Sequence, residues 1–93
     1  MGMDALEVSM KLEKQFGITI GRFDWDRIHY HETPLDTTAG ELHEWVTHLC
    51  AEQDVDVPPS SWHRVQAILV DVCNVSPRRV RRESWLKRDL GFC

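Results

Sequence analysis

Residues 75–86 read Val75-Ser76-Pro77-Arg78-Arg79-Val80-Arg81-Arg82-Glu83-Ser84-Trp85-Leu86, and Lys87-Arg88-Asp89-Leu90-Gly91 follows. We interpret this stretch as a long basic loop with Val80, Trp85 and Leu86 as its apolar anchors. Serine often begins turns, because its hydroxyl accepts a hydrogen bond from a free backbone N–H group. Ser84 is therefore expected to cap a final short turn that brings Trp85, Leu86 and Leu90 back to the core.

A helix is predicted immediately before this loop. We expect Ser60 or Ser61 to cap its start and Asn74 to end it. Its buried stripe, at helical spacing, consists of Trp62, Val65, Leu69 and Val72. An acidic, proline-ended linker at 51–60 connects this helix to the preceding part of the chain.

Another helix is predicted at the opposite end of the sequence, from about residue 4 to residue 16. Four apolar residues recur on one of its faces: Ala5, Val8, Leu12 and Phe16. Gly17 follows as a stop, since glycine readily adopts the left-handed conformation that ends helices. The carboxylates of Asp4 and Glu7 favour the positive end of the helix dipole.

The best-marked helix starts at Thr38. Thr38 and Glu41 fit a capping box, in which each side chain satisfies a free N–H group of the other residue. An apolar stripe follows: Leu42, Trp45, Val46 and Leu49. Between the two helices, residues 23–28 are compatible with a short helix and residues 29–34 with a polar loop that ends before a proline.

Several of these segments resemble acyl carrier proteins. Residues 61–92 resemble the first half of that family: a helix, a loop of the type V-x-P-x-x-V-x-x-x-S-x-L, and then Asp-Leu-Gly. Residues 3–20 resemble its second helix with the exit E-x-x-F-G-I-x-I, and residues 35–46 resemble its last helix. The resemblance implies one all-α domain over 1–93, a three-to-four-helix bundle in circularly permuted order. Residues 1–50 correspond to the family's second half and 61–93 to its first.

The attachment site of that family is not retained. Aligned on the exit motif, Gly2 occupies the position of the serine that carries phosphopantetheine; in the other register Ala5 does. Neither residue has the hydroxyl that the phosphodiester needs. The nearest serine, Ser9, is expected inside a helix. The resemblance thus implies the carrier fold without a cofactor.

The permuted order predicts how the chain closes. The linker of about ten residues can span at most about 33 Å, which is sufficient for closure within one chain. Cys93 and Met1 are then expected to lie close together. We favour a monomer over an exchanged dimer, in which the last helix packs on a neighbouring chain.

Composition is that of an ordinary small domain: 93 residues, 28% charged, with a net charge of −4. No apolar run is long enough to span a membrane. The odd cysteine count, without C-x-x-C spacing, argues against a disulfide framework or a zinc site. We expect a cytoplasmic protein with core-packed Cys50 and Cys73 and an exposed, reactive Cys93.

The candidate metal ligands are four histidines and one glutamate. His29, His31 and Glu32 are close in sequence, but such a pattern in a loop is common by chance, and His43 and His48 are too poorly spaced to share a helix face well. We predict no metal site. With no supported nucleophile either, we predict that the protein is not an enzyme.

The function expected from the sequence is protein–protein contact by a carrier-like module, near fatty-acid or polyketide-type biosynthesis. A partner would be a biosynthetic enzyme or a true carrier protein. A third interpretation of the basic loop is that it binds an acidic protein partner, such as a true carrier protein. One alternative is nucleic-acid binding by residues 78–88, and another is a working carrier with an unrecognised attachment serine. Candidate partner-binding residues are Asp4, Glu7, Lys11, Lys14, Arg78, Arg79, Arg81 and Arg82.

Overall fold

The computed structural model describes residues 3–21 and 37–91, and for residues 3–5 it describes the helix but not the side chains. Three α-helices lie in these ranges, α1 (Met3–Phe16), α2 (Ala39–Glu52) and α3 (Ser61–Cys73), followed by a 3-10 turn at Pro77–Arg79. Within the same ranges no β-strand is present. The predicted all-α class is therefore confirmed for the described residues, whereas the carrier-type arrangement and the permuted order stay predictions. The segments at 23–28 and 29–34 lie outside the described residues.

The ends of α1 follow the predicted pattern. Val8, Leu12 and Phe16 are buried along one face, and the side chain of Ala5 lies outside the described part. Gly17 has a φ of 69° and donates its N–H to the carbonyl of Glu13, so the helix ends where glycine was expected to end it.

The first turn of α2 is the most completely hydrogen-bonded helix end that the structure describes. Glu41 N–H bonds to Thr38 Oγ1 at 3.1 Å, and Glu41 Oε1 accepts from Thr38 N–H at 2.9 Å, which confirms the capping box. The N–H groups of Ala39 and Gly40 donate to the carbonyls of Ser84 and Arg82, both at 2.8 Å. Free N–H groups of a helix start are thus satisfied by the basic loop.

The start of α3 lies where it was predicted but lacks the expected side-chain bond. Ser60 occupies the N-cap position in a left-handed conformation, with φ 57°, and its side chain makes no capping bond. Ser61 does not cap, because its hydroxyl is bonded to His43 Nε2 at 2.8 Å. The predicted N-cap position is therefore confirmed at Ser60, and the hydrogen bond expected from a capping serine is not formed. The end of α3 is as predicted, with Asn74 in the left-handed conformation at its C-cap.

Ser84 also acts differently from the expected cap. It is buried, and its hydroxyl accepts from Arg81 N–H at 2.9 Å and donates to the Arg79 carbonyl at 2.8 Å. The final turn is instead closed by Asp89, whose Oδ2 accepts from Trp85 N–H at 2.8 Å. The hydroxyl of Ser84 therefore folds the loop back on itself, and the carboxylate of Asp89, four residues after Trp85, holds the final turn.

A single core joins both ends of the sequence. Predicted apolar residues from four segments belong to it: Val8, Leu12, Phe16, Leu42, Trp45, Val46, Leu49, Cys50, Val65, Leu69, Val80, Leu86 and Leu90. Ile18, Ala39 and Ile68 join them without having been predicted. Trp62 and Val72 are only half-buried, and Trp85 keeps 36% of its surface exposed, so these three contribute less than predicted.

We predict that Gly40→Ala destabilises the protein, although alanine is the better helix former by about 1 kcal/mol. A Cβ at residue 40 would lie 2.8 Å from the Arg82 carbonyl oxygen and 3.2 Å from Arg82 Cβ. The backbone must shift to relieve this contact. We expect a loss of about 1–3 kcal/mol in the free energy of unfolding, measured by denaturant titration.

The matched control is Glu44→Ala, an exposed position on the same helix, which we expect to change stability by less than about 0.5 kcal/mol. If Gly40→Ala were as stable as the parent protein, the close approach of the basic loop to α2 would be absent.

Candidate interaction surfaces

The solvent face of α1 carries two large apolar side chains. Leu6 is 56% exposed and Met10 is 61% exposed, and they are one helical turn apart. The helical period places them on the side of α1 opposite the buried stripe of Val8, Leu12 and Phe16. Glu7 and Lys14, at three and four residues from Met10, are exposed beside it. We call Leu6, Glu7, Met10 and Lys14 the α1 face.

The sequence contains a signal for this face. Leu6 and Met10 have the i, i+4 spacing of helix neighbours but fall outside the apolar stripe. A second apolar stripe on an otherwise amphipathic helix indicates either a second buried contact or an interaction surface. In the structure both side chains are exposed, so the described residues do not form a second buried contact over them.

Among the predicted partner-binding residues, Lys11 is engaged within the chain. Its Nζ lies 2.8 Å from Asp71 Oδ2, and this hydrogen bond and charge raise the pKa of Lys11. Lys11 therefore connects α1 to α3. A groove of about 570 Å³ lies beside this pair, and Lys14 and Arg64 contribute to its lining. The side chain of Asp4 lies outside the described residues.

The predicted basic residues lie together on the surface. Arg78, Arg79, Arg81 and Arg82 are all exposed. Three of them line an open cleft of about 370 Å³, together with Glu83, Ser84 and Asp89. Arg79 donates to the backbone carbonyl of Asp89 at 2.9 Å, so its side chain is held across one side of the cleft. We call this the basic cleft.

The fourth arginine belongs to a different cluster. The guanidinium of Arg82 lies 4.7 Å from the centre of the Trp62 ring, a cation–π distance. Trp62 in turn meets the His43 ring edge-on, with 5.8 Å between the ring centroids. His43 Nε2 bonds to Ser61 Oγ. The cluster ties α2, the start of α3 and the basic loop together, and no sequence spacing indicated it.

The His43–Ser61 contact brings together a hydroxyl and an imidazole, which are two parts of a nucleophilic triad. Burial, and next the positive charge of Arg82, lower the pKa of His43, so the neutral ring is favoured. A triad also needs a group that orients the second ring nitrogen. Within the described ranges, no hydrogen bond to His43 Nδ1 is formed. We therefore interpret the contact as structural.

The residues at the family's attachment position and the histidines near residue 30 lie outside the part of the chain that the structure describes. Gly2, His29, His31 and Cys93 lie outside the described residues, as does the side chain of Ala5. Among residues 3–21 and 37–91, no group of three or more His, Cys, Asp or Glu side chains is arranged to hold a metal ion.

The two cysteines in the described part form no disulfide with each other. Cys50 is fully buried and Cys73 is partly buried against the core, which agrees with the predicted packing role. Burial raises the pKa of the Cys50 thiol, so its reactive thiolate form is disfavoured.

We predict that the free energy of unfolding decreases as the pH is lowered, because His43 becomes protonated. In the unfolded chain histidine has a pKa of about 6.5. Because the folded protein lowers the pKa of His43, the unfolded state binds more protons as the pH falls below that value. Stability is thus fully present above the unfolded pKa and is lost as the solution is acidified.

The measurement is the free energy of unfolding from about pH 7 to about pH 5. His43→Gln should reduce the acid-side loss, since glutamine does not protonate and still bonds to the Ser61 hydroxyl. Arg82→Gln should reduce the loss in part, because burial is the larger cause. An unchanged pH profile in His43→Gln would refute this assignment.

Comparison of the chain with protein-family models, with curated proteins and with solved structures finds no match. None of the described helices is long and apolar enough to cross a membrane.

Proposed function

We propose that this protein is a non-catalytic, acyl-carrier-like module that acts by binding another protein, in fatty-acid or polyketide-type biosynthesis. The observation that carries the proposal is the exposure of Leu6 and Met10 on the α1 face. Isolated exposed apolar residues are ordinary on protein surfaces. Here two large ones are helix neighbours and point away from the core.

The chemistry of the α1 face suits a protein partner. Apolar residues at i and i+4 are the anchors that a helix inserts into a groove of another protein. Methionine adapts its shape to a contacting surface, because its side chain is unbranched and polarisable. Glu7 and Lys14 present opposite charges beside Met10, so they can set the orientation of a partner with the complementary pattern.

The packing supports the carrier-like part of the proposal. The core joins α1 to α3. The segment of α1 resembles the second helix of the family, and the segment of α3 resembles the first helix. The stretch that resembles the carrier loop is anchored in that core by Val80, Leu86 and Leu90, and it ends at Gly91 with a φ of 71°. Each segment of the resemblance thus contributes to one folded unit.

The absence of carrier chemistry is also supported by Ser9. This serine is the one nearest to the expected attachment position, yet it lies in the interior of α1 and keeps only 7% of its surface exposed. A modifying enzyme must reach the hydroxyl, which a buried mid-helix serine does not allow without unfolding.

We predict that the protein acquires no phosphopantetheine. The purified chain is incubated with coenzyme A and a phosphopantetheinyl transferase of broad specificity, with a functional carrier protein in the same reaction as the control. The intact mass of the control should rise, and that of this protein should not. A rise on any serine of this chain would support the alternative of a working carrier.

The binding role is tested with Met10→Asp and Leu6→Asp. Both side chains are exposed, so each variant should fold like the parent while placing a charge in the apolar contact. Capture from the native cell, read by mass spectrometry, should recover acyl-chain biosynthetic enzymes or carrier proteins with the parent protein and lose them with either variant.

The matched control is Gln15→Asp, which adds the same charge at an exposed position on another side of α1. It should retain the captured proteins. If all three variants captured the same proteins as the parent, the α1 face would not be the binding surface. If the captured proteins had no connection with acyl chains, the pathway would be wrong.

A further inference from the structure

The basic loop has the opposite charge to the rest of the chain. Residues 77–91 contain six Lys and Arg residues and two Asp and Glu residues. The remainder of the sequence contains five basic and thirteen acidic residues. A strongly positive segment on an acidic protein creates a local potential that attracts negatively charged groups.

Among the described residues, Arg78 and Arg81 form no ion pair, although the carboxylates of Glu83 and Asp89 also line the basic cleft. The Oδ2 of Asp89 is bonded to Trp85 N–H, and Arg79 bonds to the backbone carbonyl of Asp89. Arg78 and Arg81 thus present guanidinium groups to solvent.

The backbone that carries these arginines is held in place. Ser84 Oγ connects the carbonyl of Arg79 to the N–H of Arg81. From α3, Gln66 Nε2 donates to the carbonyls of Pro77 at 3.2 Å and Val80 at 2.9 Å. Binding groups that are already positioned lose less conformational entropy when a ligand arrives, so more of the electrostatic attraction contributes to affinity.

We infer that the basic cleft binds an acidic segment of a partner protein, through aspartate or glutamate carboxylates that pair with Arg78 and Arg81. The planar guanidinium group matches a carboxylate with two parallel hydrogen bonds. This inference rests on the proposed function, because it specifies the chemistry of the protein partner at a second surface.

Two features favour an acidic protein segment over a nucleic acid. The molecule measures 33 × 27 × 20 Å, whereas the attraction of the basic cleft acts over only about 10 Å at about 0.1 M salt. A long nucleic acid would extend beyond that distance and would be repelled by the acidic residues outside 77–91. In addition, single-stranded nucleic acids bind by stacking bases on open aromatic rings. Trp85 is partly covered, since the guanidinium of Arg88 lies 5.6 Å from its ring centre.

The test uses fluorescence anisotropy with three labelled probes of equal length: a peptide of alternating glutamate and glycine, its glutamine analogue, and oligothymidine. The full chain should bind the glutamate peptide more tightly than either other probe, and binding should weaken as salt is raised. Arg78→Gln and Arg81→Gln should each lower the affinity about two- to fivefold, the range for one exposed ion pair. Both positions are exposed and outside the core, so both variants should fold like the parent protein. Thermal unfolding checks that their melting temperatures are unchanged.

The matched control is Arg64→Gln, which removes the same single charge from α3, outside both the basic cleft and the α1 face. It should leave the affinity for the glutamate peptide unchanged. The inference is overturned if the glutamate peptide does not bind at low salt, if oligothymidine binds more tightly, or if Arg64→Gln weakens binding as much as the arginine variants. The assay needs neither α1 nor a native partner, so its failure is distinct from a failed capture through Leu6 and Met10.

Discussion

The structure depends on how the first turn of α2 satisfies its backbone N–H groups. A helix start leaves such groups without partners inside the helix, and leaving them unpaired in a folded protein costs free energy. Here Thr38 supplies one acceptor, and the carbonyls of Ser84 and Arg82 supply the others. These bonds join the segment before α2 to a loop more than forty residues later, and the bond from Leu86 N–H to the Thr37 carbonyl at 2.9 Å continues the contact. The basic loop is therefore a structural part of the α2 start. Its backbone carbonyls accept hydrogen bonds from α2, and its arginine side chains remain exposed on the surface.

The same constraint explains which residues surround the junction. The contact favours glycine at residue 40 of α2, because a side chain there would collide with the backbone of Arg82. Arg82 cannot enter the core with its charge, so it extends over Trp62, and its charge adds to the burial that lowers the pKa of the neighbouring His43. A histidine in this position is stable as the neutral ring bonded to Ser61. Because the pKa of His43 is lowered, we expect acidification to destabilise this junction.

The sequence predicted the parts of the fold that depend on local patterns. Periodicity located all three described helices, and the chemistry of Thr38, Gly17 and Asn74 located their ends, because caps and left-handed residues act within a few positions. The roles of Ser61 and Ser84 were predicted wrongly. Both serines precede a turn or helix, which is why local capping was expected. In the structure, the Ser61 hydroxyl instead bonds to the ring of His43, and the Ser84 hydroxyl bonds to the backbone of the preceding loop. The candidate site was partly predictable. Charge in the basic loop is visible in the sequence, whereas the exposure of Leu6 and Met10 depends on which face of α1 the core occupies.

The two proposed surfaces are connected through α3. On one side α3 packs against α1 through the core and through the Lys11–Asp71 pair. On the other side its Gln66 holds the basic loop by two carbonyls, and its first residues contact α2 through His43. Close-packed helices deform little, so the distance and orientation between the α1 face and the basic cleft are expected to stay fixed as long as α3 is folded. A partner that combines an apolar groove with an acidic segment at the matching separation would engage both surfaces at once. The second contact would then form at high effective concentration, so two individually weak contacts would be sufficient for a stable complex.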